Sequence, residues 1–330
     1  MLDSKSLKHI VPDEQTKELC MTAVRNSGLN LRWVSDEYKT PEICLVAVQQ
    51  DGRALQLIRI QTKEMCMIAV QKNGMDLKYV KDQTEKVCIA AITQNWHALK
   101  WVKEKYRTEA ICMVAVTQNW QALKLVKDQT EEMCMIAVKE NGYALRYVEN
   151  EYKTEAVCIA AVKYKGWNLQ WVEDQMEQIC MAAVKNDGHA LRWVKDLTEK
   201  VCLCAVQQNG LALRWVKDQT PQICLCAVKE CGFALQWVKE QTPQICIAAV
   251  TNYGRALRFV NVQTPELCMA AVKRDGEAIQ KVRVKTLELC MAAILQNSNA
   301  LKYINDMYQN PEICMAAVEN NGFAIYYDLK

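Results

Sequence analysis

The sequence predicts an all-α solenoid, a superhelical stack of about fourteen helix-turn-helix repeats of 22 or 24 residues. Three observations predict it. A cysteine recurs at positions 20, 44, 66, 88, 112, 134, 158, 180, 202, 224, 246, 268, 290 and 314, so consecutive copies lie 22 or 24 residues apart. A threonine stands four residues before that cysteine in twelve of the fourteen copies, Met176 and Asn310 being the exceptions. All eleven glycines of the chain fall in one slot, eight residues after the cysteine. A length of 330 residues would ordinarily suggest two or three domains, but a fixed short period overrides that prior. Residues 1–15 are then an N-terminal half-repeat cap, 16–328 the fourteen-repeat body and 329–330 the C-terminal end.

The half repeat is visible in Leu7 and Ile10, which match Leu31 and Val34 of the first full copy. From Thr16 onward each copy has two apolar segments separated by the glycine and closed by a polar turn, the pattern of two short antiparallel helices. The first helix opens on the threonine, whose oxygen can accept an orphan backbone N–H, and Pro follows it at 41, 221, 243, 265 and 311. The glycine is expected to end this helix as a C′ residue with φ > 0. By the same logic Trp96 and Trp120, which replace the glycine in consecutive copies, call for a differently built turn.

Between its punctuation the first helix is apolar on almost every side, as in Ile223-Cys224-Leu225-Cys226-Ala227-Val228, so it needs neighbours stacked on both flanks. The alanine three residues after the cysteine is present in all fourteen copies and marks where adjacent helices come closest. The second helix reads as amphipathic: at 100° per residue Ala190, Leu191, Trp193 and Val194 share one stripe of roughly 160°, with Arg192 pointing away. Its aromatic slot, Trp at 33, 101, 171, 193, 215 and 237, is expected in the core, with weaker packing at Lys281. The four long copies carry two extra residues and a tyrosine, Tyr38, Tyr106, Tyr152 and Tyr308, which lengthen the turn or extend the second helix. Asp328, in a slot that is usually Val, suits an exposed terminal cap.

The phrase Cys-Met-Ala-Ala-Val, then Asn-Gly, then Ala-Leu-x-Trp/Tyr-Val resembles the tandem helical repeats of unknown function found in giant amoeba-infecting viruses and in some bacteria and protists. It covers residues 7 to 328. The resemblance implies a helical repeat architecture and a viral protein, and it supplies no active site to carry over.

Chemistry is sparse. Lys and Arg total 41 against 38 acids, a net charge of +3 that argues for neither nucleic acid nor an anionic membrane. The start Leu2-Asp3-Ser4-Lys5-Ser6 is not a signal peptide, no apolar run reaches membrane-spanning length, and seventeen cysteines in such a chain point to a reducing, intracellular compartment. Cys202 with Cys204 and Cys224 with Cys226 invite a zinc reading, but residues two apart on a helix point about 200° apart. The ladder cysteines and the neighbouring methionines therefore read as core, and Cys231, beside Gly232, as the best candidate for a reactive thiol. His9, His97 and His189 fall in different copies and form no triad. No cofactor, metal or catalytic residue is expected.

A basic ladder, Arg32, Lys78, Lys100, Lys124, Arg146, Arg192, Arg214, Arg258 and Lys302, could follow a phosphate backbone. Seven of the nine have an acid four residues on, at 36, 82, 104, 128, 196, 218 and 306, placed for helix ion pairs, while Arg146 and Arg258 do not. The predicted function is a non-enzymatic scaffold for a protein partner, with no membrane. Its candidate contacts are Trp96, Trp120, Tyr143, Tyr164 and Trp167 around the inter-helix turns, with a second apolar set, Ile60, Val262 and Val284, in a slot that is usually Asp or Glu. A nucleic-acid-binding solenoid using the basic ladder and the Lys-rich turns is the alternative.

Overall fold

The computed structural model describes residues 7–320. Fourteen α-helices of ten residues alternate with short 3₁₀ segments, and no strand occurs among the described residues. The helices are α1 (Lys17–Asn26), α2 (Pro41–Gln50), α3 (Lys63–Lys72), α4 (Glu85–Gln94), α5 (Glu109–Gln118), α6 (Glu131–Glu140), α7 (Glu155–Tyr164), α8 (Glu177–Asn186), α9 (Glu199–Gln208), α10 (Pro221–Glu230), α11 (Pro243–Asn252), α12 (Pro265–Arg274), α13 (Leu287–Gln296) and α14 (Pro311–Asn320). The chain divides into two compact units, residues 1–157 and 158–330. In the first, α1 to α6 pack side by side in chain order; in the second, α8 to α14 do the same. This is the all-α repeat solenoid that the period predicts. The cap expected at Asp328 and the glycine slot at Gly322 lie outside the described residues.

The helix starts follow the sequence closely. Thr40 Oγ1, for example, accepts the backbone N–H of Ile43 at 3.4 Å, and Asn310 does the same for Ile313 through Oδ1 at 2.9 Å. Met176 caps nothing with its side chain. In α10, Ile223, Cys224, Ala227 and Val228 are buried, whereas Leu225 and Cys226 are only half-buried. Neighbouring helices and the 3₁₀ layer thus cover three sides of the helix. The methionine slot lies on the fourth side, so it is half-buried in Met67, Met113 and Met269 rather than fully in the core.

The second segment is a six-residue 3₁₀ helix, such as Gly142–Tyr147, and not the α-helix expected. At three residues per turn, positions i, i+3 and i+6 fall in one line, and Gly142, Leu145 and Val148 are all buried on it, with Ala144 beside them. The aromatic slot falls off that line. Trp33, Trp101 and Trp237 are 38–39% exposed and Trp171, Trp193 and Trp215 half-buried, so the ring expected in the core lies at the edge of the stack. In the long copies the two extra residues form a separate 3₁₀ turn, as at Asp36–Tyr38, Glu104–Tyr106, Asn150–Tyr152 and Asp306–Tyr308. At the N-terminus Leu7–His9 is a 3₁₀ turn that lies against Gly28–Trp33, with Leu7 buried.

The glycine slot also departs from expectation. No residue among those described, glycine included, has positive φ. The helix ends on an extended residue, for example Asn209 at φ −153°, and the glycine opens the 3₁₀ segment. In the copies that carry glycine, the next repeat closes in on the slot. A Cβ added at Gly74 would lie 2.1 Å from the Ala91 carbonyl oxygen of the next repeat, and one at Gly210 would lie 2.3 Å from that of Ala227. The alanine found in every copy thus makes its close approach through its carbonyl, and what it meets is the glycine of the preceding repeat's 3₁₀ segment. Trp96 and Trp120 open the same six-residue 3₁₀ segments behind the same Asn caps, so their turns are built like the others. The backbone N–H of the slot donates to the last side chain of the following helix in either case, to Gln208 from Gly188 at 2.6 Å and to Glu140 from Trp120 at 3.0 Å.

Candidate interaction surfaces

The cysteine ladder is structural, and its partner is a glutamine. In eight repeats the glutamine five residues before the cysteine (15, 61, 83, 129, 175, 219, 241 and 263) reaches into the next repeat. Its Nε2 donates to the backbone carbonyl 18 residues on at 2.8–2.9 Å. Its Oε1 accepts the backbone N–H 20 residues on at 2.8–3.0 Å. The same Oε1 lies 3.3–3.9 Å from the cysteine Sγ, which donates to it. One amide thus clamps two repeats and accepts the thiol hydrogen, a role the sequence shows only as a recurring letter in a polar turn. Where Arg107 stands in this slot, its guanidinium donates to Leu125, Leu99 and Val102 carbonyls instead.

Burial raises the ladder thiols, Cys88 to about 11 and Cys134 to about 12, the latter with a smaller contribution from Glu149 and Glu131. They stay protonated at neutral pH and are poor nucleophiles and poor ligands. Cys202 and Cys224 are buried while Cys204 and Cys226 sit half-exposed on another side of their helices, so the pairs do not converge. Among the described residues no group of three or more His, Cys, Asp or Glu is arranged to hold a metal. Cys231 is half-exposed and caps α10 without a side-chain hydrogen bond. His97 stacks on Trp96 at 3.7 Å and His189 lies 3.1 Å from the Asn209 amide, two unrelated places; the side chain of His9 lies outside those described.

The basic ladder is exposed, but six of its seven expected ion pairs do not form, and the seventh, Lys302–Asp306, involves a side chain outside those described. Among the described residues none of Arg32–Asp36, Lys78–Asp82, Lys100–Glu104, Lys124–Asp128, Arg192–Asp196 and Arg214–Asp218 is within ion-pair distance. The reason is geometric: the 3₁₀ segment ends one residue after the cation, so the acid is no longer one α-turn away. The cations lie over aromatic rings instead, Lys78 over Tyr79 at 4.7 Å and Arg258 over Phe259 at 5.0 Å. Several cations of the Lys-rich turns are occupied as well. Lys195 donates to the Glu173 carbonyl at 2.6 Å, Lys239 to that of Lys217 at 2.6 Å, and Arg283 to that of Asn261 at 2.8 Å.

Of the candidate contacts, Trp96, Trp120 and Tyr143 belong to the first unit and Tyr164 and Trp167 to the second. Trp96 is half-buried beneath Lys124, and Trp120 half-buried 6.2 Å from Tyr147. Tyr143, Tyr164 and Trp167 are 37%, 52% and 43% exposed. The second apolar set stands out further, with Ile60, Val262 and Val284 at 81%, 74% and 77%. Val262 lies between two adjoining surface clefts of about 700 and 650 Å³ at the N-terminal ends of α11, α12 and α13. Both clefts are lined by Asn261, Val262, Thr264 and Glu266; Ile247 also lines one, and Met269 with Val284 the other. No helix is long and apolar enough to cross a membrane among the described residues.

No curated protein and no solved structure matches this chain. A family model described as a domain of unknown function, DUF4116, matches residues 16–60 and 286–327, and over these two stretches the chain is similar to that family.

Proposed function

We propose that this chain is a non-enzymatic scaffold that binds a protein partner, as a viral protein if the resemblance of its repeats extends to their source. The observation that carries the reading is the edge at Val262 and Val284, where two successive repeats place aliphatic side chains in water in a slot that elsewhere holds Asp or Glu. Exposed valines lining adjoining clefts serve no packing purpose and fit a contact surface. Tyr143, Tyr164 and Trp167 are proposed as further contacts, with Trp96 and Trp120 as their half-buried supports. The nucleic-acid alternative is disfavoured because the net charge is only +3 over 330 residues, too little to supply a basic field.

The test restores the repeat. Val262→Asp with Val284→Asp introduces the residue that other copies carry, so the fold is expected to survive with stability changed by less than about 0.5 kcal/mol per site. Affinity capture from native cells should lose the partner recovered by the unaltered chain. Equal recovery by both proteins would contradict the reading.

A further inference from the structure

Three tryptophans of consecutive repeats and two arginines alternate in the second unit. The Arg192 guanidinium lies 4.6 Å from the Trp193 ring and 5.2 Å from Trp215, and that of Arg214 lies 4.5 Å from Trp215 and 5.1 Å from Trp237. Each of these two guanidiniums lies close to two rings. Stacking uses the face of a guanidinium and leaves its in-plane N–H donors free. Neither arginine has a hydrogen-bond or ion-pair partner among the described residues, and both are exposed. The indole N–H groups of Trp193 and Trp215 have no acceptor either, so the rings contribute their faces. Gln170 and Gln236 occupy the same slot on either side, folded onto the Trp167 and Phe233 carbonyls, and bound the pair with neutral groups.

We propose that this ladder is a second docking surface, distinct from the Val262–Val284 edge, and that it takes the acidic face of a partner helix carrying two carboxylates one heptad apart. The two arginines stand in the same slot of consecutive repeats, so their guanidiniums are set apart by about the 8–10 Å stacking distance of adjacent helices, inside the limit of about 10 Å that their distances to Trp215 allow. Seven residues of an α-helix rise about 10.5 Å and return to nearly the same face. An extended strand repeats on one face at about 6.6 or 13 Å and fits neither guanidinium pair nor spacing as well. Each planar fork, lying near two rings, can grip one carboxylate with two parallel hydrogen bonds. Nucleic acid is the poorer fit, because two guanidiniums already lie within 4.5 and 5.2 Å of the Trp215 ring that would have to stack on a base.

The test titrates the full chain, at low ionic strength, with two helical peptides of one composition, carrying two Glu at i and i+7 or at i and i+5, and reads tryptophan fluorescence. The heptad peptide should bind saturably and more weakly as salt is raised, with the i+5 peptide several-fold weaker. Arg192→Gln with Arg214→Gln should weaken the heptad peptide by about tenfold. Gln fills this slot at 170, 236 and 280, so the double variant is expected to melt like the unaltered chain. Equal binding of the two peptides, which is read on the unaltered chain and needs no variant, would overturn the proposal. So would equal binding by a folded double variant, or tighter binding of a single-stranded oligonucleotide than of the heptad peptide. The valine edge is untouched in these variants, so partner capture reports on it separately.

Discussion

A Cβ at Gly210 would meet the Ala227 carbonyl at 2.3 Å, and that contact explains a slot which the sequence marks without stating its reason. Eleven glycines in register suggest a left-handed backbone position; the cause is instead close approach of two repeats, which involves a residue 17 positions away and leaves no local trace. Gly210→Ala should therefore destabilise by about 1–3 kcal/mol through forced displacement, measured by urea denaturation. An unchanged midpoint would show that the neighbouring helix yields freely. The thiols give a second residue-scale prediction. With Cys134 pushed up to about 12 and Cys88 to about 11, the unfolded chain ionises at about 9 while the folded chain does not. Their contribution is fully present below pH 9 and lost as pH rises through 11 to 12, so stability should fall across that alkaline window. In alkylation at pH 8, Cys204, Cys226 and Cys231 should react well before Cys88 and Cys134.

Helix starts were readable because capping is local: Thr, the following Pro and the first apolar residue lie within one turn. The second segment was not, since six residues are too few for apolar spacing to separate a period of 3.6 from one of 3.0. That error carried through to the aromatic slot and to the ion pairs, both of which assume α-helical angles. The glutamine clamp was equally hidden, its partners lying 18 and 20 residues on. It makes two opposite predictions. Gln129→Leu strands the Tyr147 carbonyl and the Glu149 N–H and should lower stability by about 1–3 kcal/mol. Leu197 naturally stands in this slot, and Leu197→Gln should raise stability by about 1 kcal/mol by reaching the Trp215 carbonyl and the Lys217 N–H. Both are read from denaturation midpoints.

Within each unit a helix packs on its neighbours in the chain and on the two 3₁₀ segments beside it, so a change in one repeat is felt by the next and little beyond. Regularity of this kind makes departures informative. The exposed valines were legible as departures from an acidic slot, because a polar turn facing solvent is the same in every copy. The Arg–Trp alternation was not, because it depends on the spacing of rings across repeats. Site-specific photo-cross-linking in native cells tests the interaction surface most directly, with the cross-linker at position 262 in one protein and at position 218, an Asp in the same slot of another repeat, in a second. The scaffold reading predicts one protein partner joined at 262 and absent at 218. The same products at both positions, or none at 262, would contradict it.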